Sequence, residues 1–162
     1  MPVLVVDVAN VMGSRPDGWW RDRAGAASRL MAALVPLVAA TVSGPTGLGG
    51  PGSQGPGSEG PGSEGKGSQP GSASVRTPDG AGGMQLTRIV AVIEGKARTA
   101  IAPAEIEVLL APADGDSTIV TAAEDVLAAG ETPLVITADR GLRDRLPVGT
   151  LVAGPRWLLD LL

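Results

Sequence analysis

The chain has 162 residues and a formal net charge of −4, and it contains neither cysteine nor histidine. These absences exclude disulfides, thiol nucleophiles, Cys/His zinc sites and any triad that needs an imidazole base, so acid–base or metal chemistry must use Asp and Glu. The negative charge argues weakly against a strongly basic nucleic-acid binder, although acids gathered at one site would themselves lower the total.

The first predicted element is a buried strand over residues 3–6, and it ends on a carboxylate. Asp7 closes the apolar run, and Asn10 follows three residues later. A charge at the end of a central strand is costly, and we expect no helix there for Asp7 to cap, so a purely structural role is disfavoured. The start of the chain lacks a positive n-region, which predicts a cytoplasmic protein.

Residues 15–23 combine arginines with two of the three tryptophans of the chain. Arg15, Trp19 and Arg21 are candidate substrate-binding residues, because tryptophan and arginine stack on and clamp single-stranded nucleic acid. The alternative is that a tryptophan anchors the next helix against the sheet, since the chain has no Phe or Tyr.

That helix is predicted over residues 20–42. Its apolar part, residues 30–42, is too short to span a bilayer, and Pro36 predicts that the helix kinks or ends nearby.

Residues 43–83 are rich in Gly, Pro and Ser and contain a five-residue repeat. They have too few large apolar residues to bury a core, and the repeat lacks the glycine at every third position that collagen needs. We therefore predict a disordered insertion that divides one domain into residues 1–42 and 84–162.

After the insertion, β-branched runs alternate with helical patterns. Strands are predicted at residues 88–93, 106–110, 134–137 and 151–153, and helices at residues 96–101, 116–129, 140–146 and 155–162. Continuous β-branched runs are typical of buried parallel strands. The order predicts an α/β fold, a three-layer α/β/α sandwich around a mostly parallel five-stranded sheet of Rossmann-like type.

Three aspartates fall at strand ends or at a helix start: Asp7, Asp116 and Asp139. Sites in open α/β sheets lie at the carboxyl ends of the strands, so these acids converge if the first and fourth strands are neighbours. Converging carboxylates repel one another, and a divalent cation would offset that repulsion. Oxygen ligands favour Mg²⁺ or Mn²⁺.

Several of these residues also have structural interpretations. Asp116 and Asp139 could cap the helices that begin at them, and Glu94 with Gly95 could form only a turn. Arg140, Arg143 and Arg145 could bind phosphates or merely solvate a helix face.

The motifs around these acids resemble those of the PIN-like nucleases, and within them the NYN branch. Residues 7–11 resemble the family's first-strand motif, in which an Asp binds metal and an Asn follows three residues later. Residues 116–119 resemble its helix-start motif, and residues 137–140 resemble its fourth-strand motif. The resemblance covers essentially all of the chain outside the insertion.

This resemblance implies cleavage of RNA phosphodiester bonds with Mg²⁺ or Mn²⁺ held by Asp7, Asp116 and Asp139. Asn10 and Thr137 would hydrogen-bond a ligand carboxylate or the phosphate.

The chain also departs from the family pattern. Relatives often carry a second acid directly after the helix-start Asp, where this chain has Ser117, and they carry a fourth acid. Glu94 is the best candidate for that fourth metal ligand, with Asp114 behind it.

Two other functions are compatible with the same residues. A nucleotide pyrophosphohydrolase would use the acidic site on a free nucleoside triphosphate, whereas a degenerate PIN-like module would bind RNA or a protein without catalysis. The expected partners are thus RNA or a nucleotide, without a membrane, and a homodimer is compatible with the sequence.

Overall fold

The computed structural model describes residues 1–39, 75–80 and 82–162. The predicted insertion at residues 43–83 therefore lies mostly outside the described residues. The strands are, in chain order, β1 (Pro2–Asp7), β2 (Val75–Arg76), β3 (Gly83–Met84), β4 (Arg88–Ile93), β5 (Ile106–Leu110), β6 (Thr132–Ile136) and β7 (Leu151–Ala153). The helices are α1 (Val8–Gly13), α2 (Arg23–Ala39), α3 (Gly115–Ala128), α4 (Arg140–Arg145) and α5 (Pro155–Leu159).

Five of these strands form one parallel sheet in the order β5-β4-β1-β6-β7. Strand β1 lies in the middle, paired with β4 on one side and with β6 on the other. The predicted neighbour relation between the first and fourth strands of the sheet is confirmed. The carboxyl ends of β1, β4 and β6 consequently meet at the same edge.

Helices cover both faces of this sheet. On one face, Leu4 and Val6 pack in a core with residues of α1, α2 and α5; on the other, Val3 and Val5 pack with residues of α3 and α4. Successive residues of a strand point to opposite faces, and these four central residues of β1 are fully buried, so both cores share this strand. The predicted three-layer α/β/α sandwich is confirmed.

Helix α1 and the strands β2 and β3 were not predicted. Helix α1 follows β1 directly, with Val8, Val11 and Met12 buried. Its six residues make fewer than two turns, which is too short for a helical period to stand out in the sequence. Strands β2 and β3 form a separate antiparallel pair within and beside the end of the predicted insertion.

The second helix begins later than predicted. Residues Trp19–Arg21 form a 3-10 turn after Gly18, whose φ of 77° is left-handed, and α2 starts at Arg23. Oδ1 of Asp22 accepts a hydrogen bond of 2.9 Å from the N–H of Gly25, which stabilises this start. Pro36 lies inside α2, and the predicted helix end at residue 42 lies outside the described residues.

Residues Gly95–Thr99, in place of the predicted helix at residues 96–101, are a 3-10 helix. Among the residues that the structure describes, no helix is both long and apolar enough to cross a membrane.

Candidate functional site

A cleft of about 500 Å³ lies at the edge of the sheet where β1, β4 and β6 end. The side chains that line it include four carboxylates and one amide: Asp7, Asn10, Glu94, Asp116 and Asp139. They come from the end of β1, from α1, from the residue after β4, from the first turn of α3 and from the loop after β6. The four acids predicted as metal ligands thus lie around one cleft.

Asp7 is held by two hydrogen bonds from different parts of the chain. Its Oδ1 accepts from the N–H of Asn10 at 3.1 Å, and its Oδ2 accepts from the hydroxyl of Thr137 at 3.0 Å. The first bond caps α1, so the expectation that Asp7 has no helix to cap was wrong. Capping and a place at the site are compatible, because the carboxylate still lines the cleft.

The pKa of Asp7 is raised from its usual value of 3.8, chiefly because the carboxyl group is buried. The hydrogen bonds from Asn10 and Thr137 act in the opposite direction, and the neighbouring charges of Asp116 and Glu94 raise the pKa further. The ionised form of Asp7 is therefore held in an unfavourable environment.

Thr137 and Asn10 connect β1 and α1 to the loop after β6. Thr137 is fully buried, and its hydroxyl also accepts a hydrogen bond of 3.2 Å from the N–H of Asp139. Of the two bonds expected for Thr137, the structure contains the one to a carboxylate. The side-chain oxygen of Asn10 instead accepts from the N–H of Ala138 at 2.8 Å.

Asp139 caps α4, as its structural interpretation predicted. Its Oδ1 accepts a hydrogen bond of 2.9 Å from the N–H of Leu142. Within the described part of the chain, Oδ2 of Asp139 has no hydrogen-bond donor, so this oxygen is available to the cleft.

The cap of α3 is Asp114, not Asp116. Asp114 accepts a hydrogen bond of 2.7 Å from the N–H of Ser117, and the bonds from Ser117 lower the pKa of Asp114. Asp116 lies in the first turn, where partial burial and the charge of Asp139 raise its pKa. The interpretation of Asp116 as a helix cap was therefore wrong, because the helix starts one residue earlier, at Gly115.

Arg145 of α4 contacts this region in a way that the sequence did not predict. Its guanidinium lies 3.8 Å from Oδ2 of Asp116 and donates a hydrogen bond of 3.1 Å to the hydroxyl of Ser117. Ser117 is the position where the motif resemblance led us to expect a second acid, and its hydroxyl contacts a positively charged side chain instead. Only the packing of α4 beside α3 brings these residues together, and no local pattern signals it.

Glu94 is held by the start of α3. Its Oε2 accepts a hydrogen bond of 2.6 Å from the N–H of Gly115. Gly115 is buried, and a Cβ at this position would lie 2.8 Å from the same oxygen. The glycine between Asp114 and Asp116 is thus required for this contact. It is the feature of the sequence from which a close approach of Glu94 to the start of α3 could have been suspected.

The predicted substrate-binding residues Arg15, Trp19, Arg21 and Arg140 do not line the acid cleft. Arg15 and Trp19 line neighbouring clefts, and Trp19 also packs against the core, as its anchoring interpretation predicted. The guanidinium of Arg21 lies 5.9 Å from the ring centroid of Trp20. Arg140 is exposed on α4.

The donor types at the cleft suit Mg²⁺ or Mn²⁺, because they are carboxylate and amide oxygens. In residues 1–39, 75–80 and 82–162, however, no group of three or more acidic side chains is arranged to hold a metal ion. One oxygen of Asp139 and one of Glu94 accept backbone hydrogen bonds, and Asp116 faces Arg145. The oxygen atoms at the cleft are of the type that binds such an ion. The side chains would have to rotate for several of these oxygens to coordinate the same ion.

No family model matches this sequence, and a search of curated proteins finds no significant match. Among solved structures, the chain is similar to the crystal structure of a variant of Rae1 (YacP) from Bacillus subtilis. The TM-score is 0.53 at 18% sequence identity, over 99% of this chain and 74% of that one. At this identity the likeness concerns the fold alone, and the five-stranded parallel sheet flanked by helices matches a PIN-like fold.

Proposed function

We propose that this protein is a ribonuclease of the PIN-like class, with an NYN-type domain that hydrolyses RNA phosphodiester bonds using Mg²⁺ or Mn²⁺. The observation that carries the proposal is the set of four carboxylates, from four separate segments, that line one cleft at the carboxyl edge of the sheet. The fold similarity and the resemblance of residues 7–11, 116–119 and 137–140 to family motifs support it.

In this proposal Asp7, Asp116, Asp139 and Glu94 hold the ion. A divalent cation bound there would supply a water of lowered pKa and would neutralise charge on the leaving oxygen. Thr137 and the amino end of α1 orient Asp7, and the side-chain amide nitrogen of Asn10 donates to the phosphate.

The charges of the site support cation binding. The pKa values of both Asp7 and Asp116 are raised, in part by the neighbouring acids. A cation among these groups would favour their ionised forms, so protons and the cation compete for the same oxygens. Metal affinity should therefore increase as pH rises through the range where Asp7 loses its proton.

Cleavage of a fluorescently labelled single-stranded RNA in Mn²⁺ tests the proposal. We expect the wild type to cut the strand and Asp7→Asn to lose activity by about two orders of magnitude or more. Asp144→Asn is the matched control, because Asp144 is exposed on α4 and lies outside the cleft lining. A folded Asp7→Asn variant with wild-type activity would contradict the proposal.

A non-catalytic PIN-like module is the second candidate, and a specific observation favours it. Arg145 and Ser117 occupy the place of an acid beside Asp116, and the described acids are not arranged to hold an ion. This candidate predicts no saturable Mn²⁺ binding by the wild type in a calorimetric titration. Saturable binding that Asp7→Asn loses is the result expected for the nuclease.

A pyrophosphohydrolase acting at the same site is separated by its products. It releases pyrophosphate from a nucleoside triphosphate, whereas the ribonuclease shortens RNA.

A further inference from the structure

We infer that the acid cleft is the middle of a groove that binds single-stranded RNA on both sides of the bond to be cut. One end of the groove, at Trp19 and Arg23, would take a base; the other end, at Arg15 and Arg156, would take a backbone phosphate. The inference rests on the proposed function for its substrate, and it distinguishes a polynucleotide from a free nucleotide.

The first argument is continuity. A cleft of about 420 Å³ shares Ala9 and Glu94 with the acid cleft, and another of about 490 Å³ shares Ser14 with it. Helix α1 explains this arrangement, because residues of a helix are separated by about 100° around its axis. Val8 and Met12 face the first neighbour, Asn10 faces the acid cleft, and Ser14 follows the helix at the second neighbour.

The end at Trp19 has the chemistry of a base-binding site. The guanidinium of Arg23 lies 5.3 Å from the Trp19 ring centroid, and Arg23 is exposed. Val8, Met12 and Ala97 line the same cleft, although each of them is almost fully buried. A planar aromatic ring, a guanidinium and apolar walls are the groups on which unpaired bases stack in single-strand binding sites.

The opposite end has the chemistry of a phosphate-binding site. Arg15 and Arg156 line one cleft, and in the described residues neither reaches a carboxylate within 4.0 Å. Asp160 lines the same cleft without forming an ion pair with them. Two unpaired guanidinium groups suit a phosphate, which accepts from arginine in a bidentate manner.

The arginines at the two ends would also offset the repulsion between the acid cleft and the phosphates of RNA. Four carboxylates repel the phosphates of RNA, so the strand needs cationic contacts close by that the carboxylates have not already neutralised. Each cleft alone has the size of a small-molecule site, and a free nucleotide would not occupy all three.

Binding of labelled oligouridylates of increasing length, measured by fluorescence anisotropy on Asp7→Asn, tests the groove without cleavage. We expect affinity to rise with length until both ends are filled, by about tenfold or more over a mononucleotide. Arg15→Ala and Arg156→Ala should each weaken binding of the longest strand by about threefold to tenfold. Each should also make the slope of log affinity against log salt shallower by about 0.7.

Arg23→Ala tests the base-binding end, because replacing Trp19 could disturb the core. It should weaken binding by about threefold or more, with less change in the salt slope. Arg76→Ala is the matched control: it removes the same charge from β2, whose partner β3 precedes the amino end of β4, at the opposite edge of the sheet. It should change affinity by less than about twofold.

Cleavage of RNA by the wild type is measured separately, so the two proposals can fail independently. Affinity that does not depend on length, no detectable binding, or an Arg76→Ala effect equal to that of Arg156→Ala overturns the groove even where the wild type cleaves RNA. Length-dependent binding that Arg15→Ala and Arg156→Ala weaken supports the groove even where the wild type proves inactive.

Discussion

The Thr137 hydroxyl donates a hydrogen bond of 3.0 Å to Oδ2 of Asp7, although 130 positions separate the two residues. The same hydroxyl accepts from the N–H of Asp139 at 3.2 Å. One fully buried side chain therefore positions two of the four acids, which stand at the ends of neighbouring strands.

Replacing Thr137 by valine tests this role, because valine keeps the shape and removes the hydroxyl. We expect Thr137→Val to destabilise the fold by about 1–3 kcal/mol, since a partly buried N–H and a carboxylate oxygen each lose their partner. The pKa of Asp7 should rise further, because the lost bond favours the ionised form. Chemical denaturation and NMR titration of the Asp7 carboxyl measure the two effects.

Thr137→Ser is the matched control and should retain both hydrogen bonds. Wild-type stability and an unchanged Asp7 titration in Thr137→Val would show that the hydroxyl does not position the site.

Asp7 itself should lower stability at neutral pH. Its pKa in the fold is raised above 3.8, so the folded chain binds the proton more tightly than the unfolded chain does. The stabilisation by protonated Asp7 is fully present below about pH 3.8 and is lost as pH rises through the folded value. We expect Asp7→Asn, which can still accept from Asn10, to be more stable by about 0.5–2 kcal/mol at neutral pH.

Urea denaturation across pH measures this difference, which should shrink as the pH falls toward the acid range. Asp144→Asn removes the same charge from the surface of α4 and should show no comparable gain. A less stable Asp7→Asn at neutral pH would mean that the hydrogen bonds to the carboxylate outweigh its burial.

The sheet and the gathering of the acids were predictable because each rests on a signal within a few residues. Five β-branched runs alternate with helical patterns, and parallel strands place their carboxyl ends at one edge. That rule alone brings Asp7 and Asp139 to the same cleft once β1 and β6 are neighbours.

The hydrogen-bond roles were not predictable, for different physical reasons. Helix α1 is too short to show a period, so its cap at Asp7 was missed. Asp114 and Asp116 flank a glycine, and either could begin the helix until the backbone geometry decides. The contact of Arg145 with Asp116 arises from packing between helices, which no local pattern encodes.

Gly115 should be required for the position of Glu94. In a helix interior, alanine normally stabilises relative to glycine by about 0.5–1 kcal/mol. Here the new Cβ would lie 2.8 Å from Oε2 of Glu94. The carboxylate must therefore move away, and its hydrogen bond with the N–H of residue 115 breaks. We expect Gly115→Ala to be destabilising by about 1–2 kcal/mol instead, as measured by denaturation.

The double variant Glu94→Ala/Gly115→Ala separates this contact from a helix effect. With Glu94 truncated, alanine at position 115 should no longer be harmful, and a double-mutant cycle would report the difference. An equal cost of Gly115→Ala in both backgrounds would assign it to the backbone.

Arg145 should compete with a metal ion for Asp116. The two groups are 3.8 Å apart, and both side chains are exposed by more than a third, so the pair contributes about 0–1 kcal/mol to stability. Removing the guanidinium also removes a positive charge from the position that a cation would approach. We expect Arg145→Ala to bind Mn²⁺ about two- to fivefold more tightly in calorimetry, with little loss of stability.

Arg140→Ala is the matched control, because it removes the same charge from the same helix but has no acidic partner in the described residues. Its Mn²⁺ affinity should change by less than about twofold, since an exposed charge at greater distance is screened. Weaker Mn²⁺ binding by Arg145→Ala would reverse the interpretation. The arginine would then hold Asp116 in the conformation that the ion requires.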